Sequence, residues 1–186
     1  LRFQLSDPLL AALRVRRDEQ RASIAKRKHL LRRFFPVRAR PFPQTVKRLL
    51  SDKRPDPLRA AERFVAGMDA VTVEVEDEHD AFLLDPGMGP MMFLTADGRV
   101  LRDGRSWDGE ALREATDDEA IATLVVGAEK SGVAALLGLI PPSPADGMLC
   151  ARCEGLRMAE PAPGTGFHII CTQCWGRGWV VQSGDV

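Results

Sequence analysis

No apolar run in this chain approaches the roughly 20 residues that a membrane-spanning helix requires, so no transmembrane helix is expected. Histidine is scarce: His29, His79 and His168 are scattered, and their spacing assembles no Ser/His/Asp arrangement. The Gly87-Met88-Gly89 stretch within residues 85–90 lacks the Lys-Ser/Thr of a phosphate loop and opens no helix, so it reads as a turn. The first ten residues include Asp7 and Pro8 and lack an apolar signal-peptide core. Cysteine is confined to four residues in two close pairs. Without an export signal, that usage points to thiolate ligands in a reducing cytoplasm rather than to disulfides.

What is present begins with charge. The 186 residues sum to a net charge of zero, but residues 1–64 hold 18 Lys+Arg against 6 Asp+Glu, a net +12. The remainder holds 8 against 20, a net −12. Such a division implies either a basic arm for an acidic partner or two parts that attract each other. The basic part reads as helical: Leu9, Leu10 and Leu13 form one apolar cluster, and Ile24, Leu30, Leu31, Phe34 and Phe35 a second. Arg14, Arg17, Arg21, Lys26, Arg27, Lys28, Arg32 and Arg33 are the candidate contacts to phosphate or to an acidic partner. Pro36, Pro41 and Pro43 break any continuous helix. Shorter helices are expected over 44–50 and 57–66, with Gly67 as a stop.

The centre reads as a small antiparallel meander. Val71, Val73 and Val75 alternate with Thr72, Glu74 and Glu76, which predicts a half-buried strand. Further strands are expected over 81–84, 91–95 and 99–102, the last two joined by the turn-forming Asp97-Gly98. Glu74, Glu76, Asp77, Glu78 and Asp80 cluster with His79 among them; strand alternation points several of them to solvent, and the spacing allows a metal or acid/base site without forcing one. Thr116-Asp117-Asp118-Glu119 is a capping box that opens a helix with Ala120, Ile121, Leu124, Val125 and Ala128 on its buried stripe and Gly132 at its end. An apolar segment over 133–140 and a proline-rich linker lead into the cysteines.

Cys150-Ala151-Arg152-Cys153 and Cys171-Thr172-Gln173-Cys174 are two CxxC pairs separated by seventeen residues, a zinc-site spacing. Four thiolates complete a tetrahedron and leave no position open for water or substrate, so the expected ion is one structural Zn2+. Phe167, Ile169 and Ile170 read as a strand entering the second pair and residues 179–181 as a strand leaving it; His168 could replace a cysteine, but with four thiols present it reads as an exposed strand residue. Trp179 is expected to cover the ion; for Trp175, cover and an exposed partner surface stand level. Glycine follows each pair, as Cys153-Glu154-Gly155 and Cys174-Trp175-Gly176-Arg177-Gly178. Here the sequence resembles the CxxCxGxG cysteine-rich motif of DnaJ-type chaperones over about residues 150–178. The second copy matches throughout, whereas the first has Arg157 at the place of the last glycine. Two copies instead of the family's four imply one four-cysteine zinc, and no J-domain motif is visible. The order of elements, with the CxxCxG pairs, is also similar to SUKH-type immunity proteins, which would imply protein binding without catalysis.

Together these features predict an α+β chain: a basic helical arm (1–66), a β-meander with a packed helix (67–142), and a zinc-knuckle or ribbon pair (143–186). The expected function is a non-catalytic, zinc-stabilised protein-interaction module whose partner is another protein. The alternative is a nucleic-acid-binding protein that grips phosphate with the basic arm. Neither an enzyme nor a membrane-surface protein is expected.

Overall fold

A computed structural model describes residues 1–34, 57–85, 89–105, 107–159 and 169–181, with the backbone alone at 27–34, 57–63, 85, 159 and 169. The helix expected over 44–50, the prolines at 36–43, residues 86–88 of the turn, Phe167 and His168 lie outside the described residues. The fold is α+β. Two compact units are present, one of residues 4–114 with Arg2, the other of residues 115–186 with Leu1 and Phe3. No helix among the described residues is long and apolar enough to cross a membrane.

The first unit consists of helix α1 (Asp7–Phe34), helix α2 (Pro57–His79) and four strands, β1 (Ala81–Asp85), β2 (Met91–Thr95), β3 (Val100–Gly104) and β4 (Glu110–Glu114). The strands form an antiparallel meander in the order β1-β2-β3-β4. β2 is buried along its whole length. On one face, Met91 and Phe93 join Ala81, Leu101, Val71 and Val75 in a core that α2 closes. The turn between β2 and β3 forms at Asp97-Gly98, where Gly98 has φ 85° and donates to the Thr95 carbonyl at 2.9 Å.

Residues 71–76 are not a strand but the second half of α2, and the helix runs through Gly67 without stopping. The alternating valines suggested a period of two, yet the burial has the period of a helix. Thr72 and Glu76, which strand alternation would set opposite the valines, are buried with Val71 and Val75, while Val73 is only partly buried. Packing against the sheet therefore overrides the strand preference of the valines and the roughly 1 kcal/mol that a mid-helix glycine costs. β4 escaped the sequence reading because Leu112 is its one large apolar residue, and at the sheet edge its Glu and Arg side chains face solvent.

Burying Glu76 requires a counter-charge, and α1 supplies it. Arg21 donates through Nε to Glu76 Oε2 and through Nη2 to Asp77 Oδ1, both at 2.8 Å. One turn earlier, Arg17 donates to Asp80 at 2.8 Å and lies over the Phe82 ring at 4.9 Å. A parallel clamp holds the buried Asp103, whose carboxylate accepts from Arg105, which also reaches Glu74 at 2.7 Å.

The second unit begins with α3 (Asp117–Ser131), followed by a 3-10 helix (Ala134–Leu139) and strands β5 (Gly147–Leu149), β6 (Met158–Ala159), β7 (Ile169–Ile170) and β8 (Trp179–Val181). The capping box forms as expected: Thr116 accepts from the Glu119 amide, and the Glu119 side chain accepts from the Thr116 amide at 2.8 Å. The expected stripe is buried, and Gly132 ends the helix. α3 groups with the cysteine region, and the helix packed on the meander is α2.

Burial pushes the Glu76 carboxyl above the ordinary carboxylate range, against the pull of Arg21. A raised folded value means that protonation favours the folded chain, and that stability falls as pH rises through that value. Arg21→Ala leaves the carboxylate buried without its partner and should cost about 2 kcal/mol at pH 7, below the full penalty for a buried pair because Arg21 is partly exposed. Most of that loss should vanish below the ordinary glutamate value of 4.5 and in a Glu76→Gln background. Urea unfolding across pH tests this; an equal loss at every pH would contradict it.

Candidate metal centre

Each CxxC pair is a tight turn followed by the same unusual backbone. After Cys153, residues Glu154, Gly155 and Arg157 have φ of 48°, 82° and 67°; after Cys174, residues Trp175, Gly176 and Gly178 have 51°, 84° and 83°. The two knuckles are thus one conformation used twice. Arg157, which departs from the glycine pattern in sequence, does not depart from it in backbone.

The strands extend this pseudo-two-fold. β5, which enters the first knuckle, pairs with β8, which leaves the second; β6, which leaves the first, pairs with β7, which enters the second. Equivalent hydrogen bonds tie the halves together: Cys150 N donates to Gly178 O at 3.0 Å, and Cys171 N to Arg157 O at 3.1 Å. Within each knuckle, Leu156 N donates to Cys153 O and Arg177 N to Cys174 O.

This arrangement brings the four thiols together. Their Sγ atoms all lie within 4.8 Å of one another. Cys150 and Cys171 are 3.8 Å apart, and Cys153 and Cys174 3.7 Å. A tetrahedron with metal–sulfur bonds of about 2.3 Å has an edge of about 3.8 Å, so the donor set fits a tetrahedral ion. All four cysteines are buried, none exposed by more than 4%. The Gly178 amide donates to Cys174 Sγ at 3.4 Å.

Crowding splits the thiols electrostatically. Burial, then the Cys153 thiol, push Cys174 up to about 12 against the Gly178 amide. Burial also pushes Cys153 up. It acts upward on Cys171 as well, but the amides of Cys174 and Gln173 and the Cys150 thiol outweigh it and hold this thiol at about 7. Four sulfurs this close do not all ionise unaided, and a dication at their centre supplies the missing compensation.

The second knuckle is seated on α3. A Cβ built on Gly176 would lie 3.0 Å from Val125 Cγ2 and 3.7 Å from Ala122 Cα. Arg177 donates to Asp118 at 2.6 Å and stands 5.9 Å from the Trp179 ring. Among the described residues, the partly buried apolar side chain that packs on the cysteines is Val180; Trp179 alternates onto the other face of the β5–β8 ribbon, and Trp175 is exposed.

The basic residues are placed differently from one another. Arg17 and Arg21 pair with α2 and the residue after it, Arg14 lies 4.0 Å from Asp80, and Lys26 is exposed. The side chains of Arg27, Lys28, Arg32 and Arg33 lie outside the described residues, although their backbone continues α1. Of the acidic run, Glu74, Glu76, Asp77 and Asp80 each meet an arginine. The sequence reading passed over Asp118, Ala122 and Val125 as a seat for the second knuckle; their helical spacing was visible, but what it faced was not. Compared with protein-family models, with curated proteins and with solved structures, the chain matches none, so neither a DnaJ-type nor a SUKH-type relationship is shown.

Gly178 and Arg157 share a left-handed backbone. A Cβ on Gly178 would lie 2.9 Å from the Gly155 carbonyl oxygen. Gly178→Ala should therefore cost about 2 kcal/mol and speed metal loss to a chelator. Arg157→Gly, which relieves a left-handed non-glycine residue, should cost no more than about 0.5 kcal/mol. Thermal unfolding with chelator competition compares them; an equal cost would show that the shared backbone is not what fixes these positions.

Proposed function

We propose that Cys150, Cys153, Cys171 and Cys174 hold one zinc ion, and that the chain is a non-catalytic, cytoplasmic module whose partner is another protein. The observation that carries this reading is the set of four buried sulfurs at tetrahedral separations. Soft thiolates in a tetrahedron suit zinc. Because four protein ligands fill its coordination, the ion supplies folding energy and no open position for chemistry.

Support for a protein partner comes from the surface that the cysteines hold in place. Met148, Leu149, Leu156, Trp175 and Val181 are all exposed large apolar side chains on the ribbons and knuckles. Of these, Leu149 and Val181 share one face of the β5–β8 ribbon, apolar surface of the kind that a partner covers. The nucleic-acid alternative draws on the same basic arm, but Arg17 and Arg21 are engaged with α2 and the residue after it, which favours attraction between the basic and acidic parts. Binding of DNA or RNA that weakens steeply with salt would restore that alternative.

Elemental analysis of protein purified under reducing conditions should find one zinc per chain. Cys153→Ser should abolish that stoichiometry and unfold the ribbons over 147–181, since structural zinc sites contribute on the order of 10 kcal/mol to folding. The meander of the first unit should keep its hydrogen-exchange protection. Zinc near zero in the unaltered protein would reject the site, and retention of zinc by Cys153→Ser would reject its ligand set.

A further inference from the structure

We infer that the first knuckle is a docking seat for an amphipathic helix of a partner protein, built like the seat that the second knuckle gives to α3. This rests on the reading of the chain as a zinc-held interaction module, and it names the surface and the chemistry of the partner. The pseudo-two-fold maps Gly155 onto Gly176, Leu156 onto Arg177 and Glu154 onto Trp175. At Gly176 the place of a Cβ is taken by α3, whose Asp118, Ala122 and Val125 form one stripe against the knuckle. At Gly155, among the described residues, the same place is met by Leu149, whose Cδ1 would be 2.9 Å from a Cβ.

Leu149 is itself 68% exposed and Leu156 76%, the two most exposed large apolar side chains among the described residues. Val181 is exposed on the same ribbon face as Leu149, because Leu149 pairs with Trp179 and Gly147 with Val181. One half of a two-fold element is therefore covered by a helix, and the other presents leucine to solvent.

The differences between the halves specify the occupant. Leu156 stands where Arg177 meets Asp118, so the partner helix carries an apolar residue in place of that aspartate. Leu149 stands at Gly155 where Val125 stands at Gly176, so one turn on the partner helix carries a small residue that lets it close over the exposed Leu149 and Leu156. Glu154, exposed and without an ion pair to any described residue, borders this surface and calls for lysine or arginine on the partner. This is helix-in-groove recognition with a charged rim.

The probe is a synthetic peptide of residues 116–131 carrying D118L and E129K, the lysine standing four residues beyond Val125 on the same stripe, titrated into zinc-loaded, 15N-labelled full-length protein. Saturable amide shifts are expected at Leu149, Gly155, Leu156 and Val181. Leu156→Asp should weaken binding about ten-fold or more, while Trp107→Ala, at an exposed site of the first unit, leaves it unchanged; Leu149→Ser serves as a second variant should Leu156→Asp fail to fold. Shifts confined to Gly176 and its neighbours, or no saturable shift, would overturn the inference. So would self-association of the protein alone that Leu156→Asp abolishes, which would make the occupant a second copy. Zinc measured on the same samples separates the two levels: one zinc with no peptide binding rejects the seat alone, whereas absent zinc rejects the reading beneath it.

Discussion

The convergence of four thiols is the constraint on which the C-terminal unit depends. Its ribbons are two or three residue pairs long, too short to persist as isolated hairpins in water. Their registers are instead fixed by the cysteines between them. Each knuckle delivers two sulfurs, and the pairing of β5 with β8 and of β6 with β7 interlocks the two knuckles. Removing the cation from such a centre leaves crowded, buried thiols in place of a compensated tetrahedron. The hydrogen bonds from Cys150 and Cys171 across the two-fold would then have little to hold them in register.

The first unit solves a comparable problem without a metal. A sheet whose second strand is wholly buried needs cover, and α2 supplies it on one face with a stripe that includes Glu76. Burying that carboxylate is unfavourable by itself. Arg21 offsets the cost from α1 and reaches Asp77 as well, so the helix carrying much of the positive charge is tied to the helix carrying much of the negative. The net charge of zero is thus partly the sum of groups in contact.

What was legible in the sequence was local. The CxxC pairs, the Thr116 capping box and the Asp97-Gly98 turn each form through residues within a few positions of one another, and each is found as expected. Residues 71–76 were misread because a chance alternation of valines agrees with a strand, while the burial of Thr72 and Glu76 is decided by a sheet and an arginine distant in sequence. β4 was invisible for a related reason: an edge strand is defined by its neighbour, and Glu110–Glu114 has little apolar pattern of its own. Arg157 shows the opposite case. The motif departs there in sequence, but the left-handed backbone is retained, with φ 67° at Arg157 against 83° at Gly178.

The central claim is a closed centre of four sulfurs around a single zinc. X-ray absorption at the zinc edge of the purified, reduced protein tests it most directly. Four sulfur scatterers at about 2.3 Å, with no nitrogen or oxygen in the first shell, is the predicted result. A nitrogen or oxygen ligand, or fewer than four sulfurs, would show an open or mixed site and contradict the structural role assigned to these cysteines.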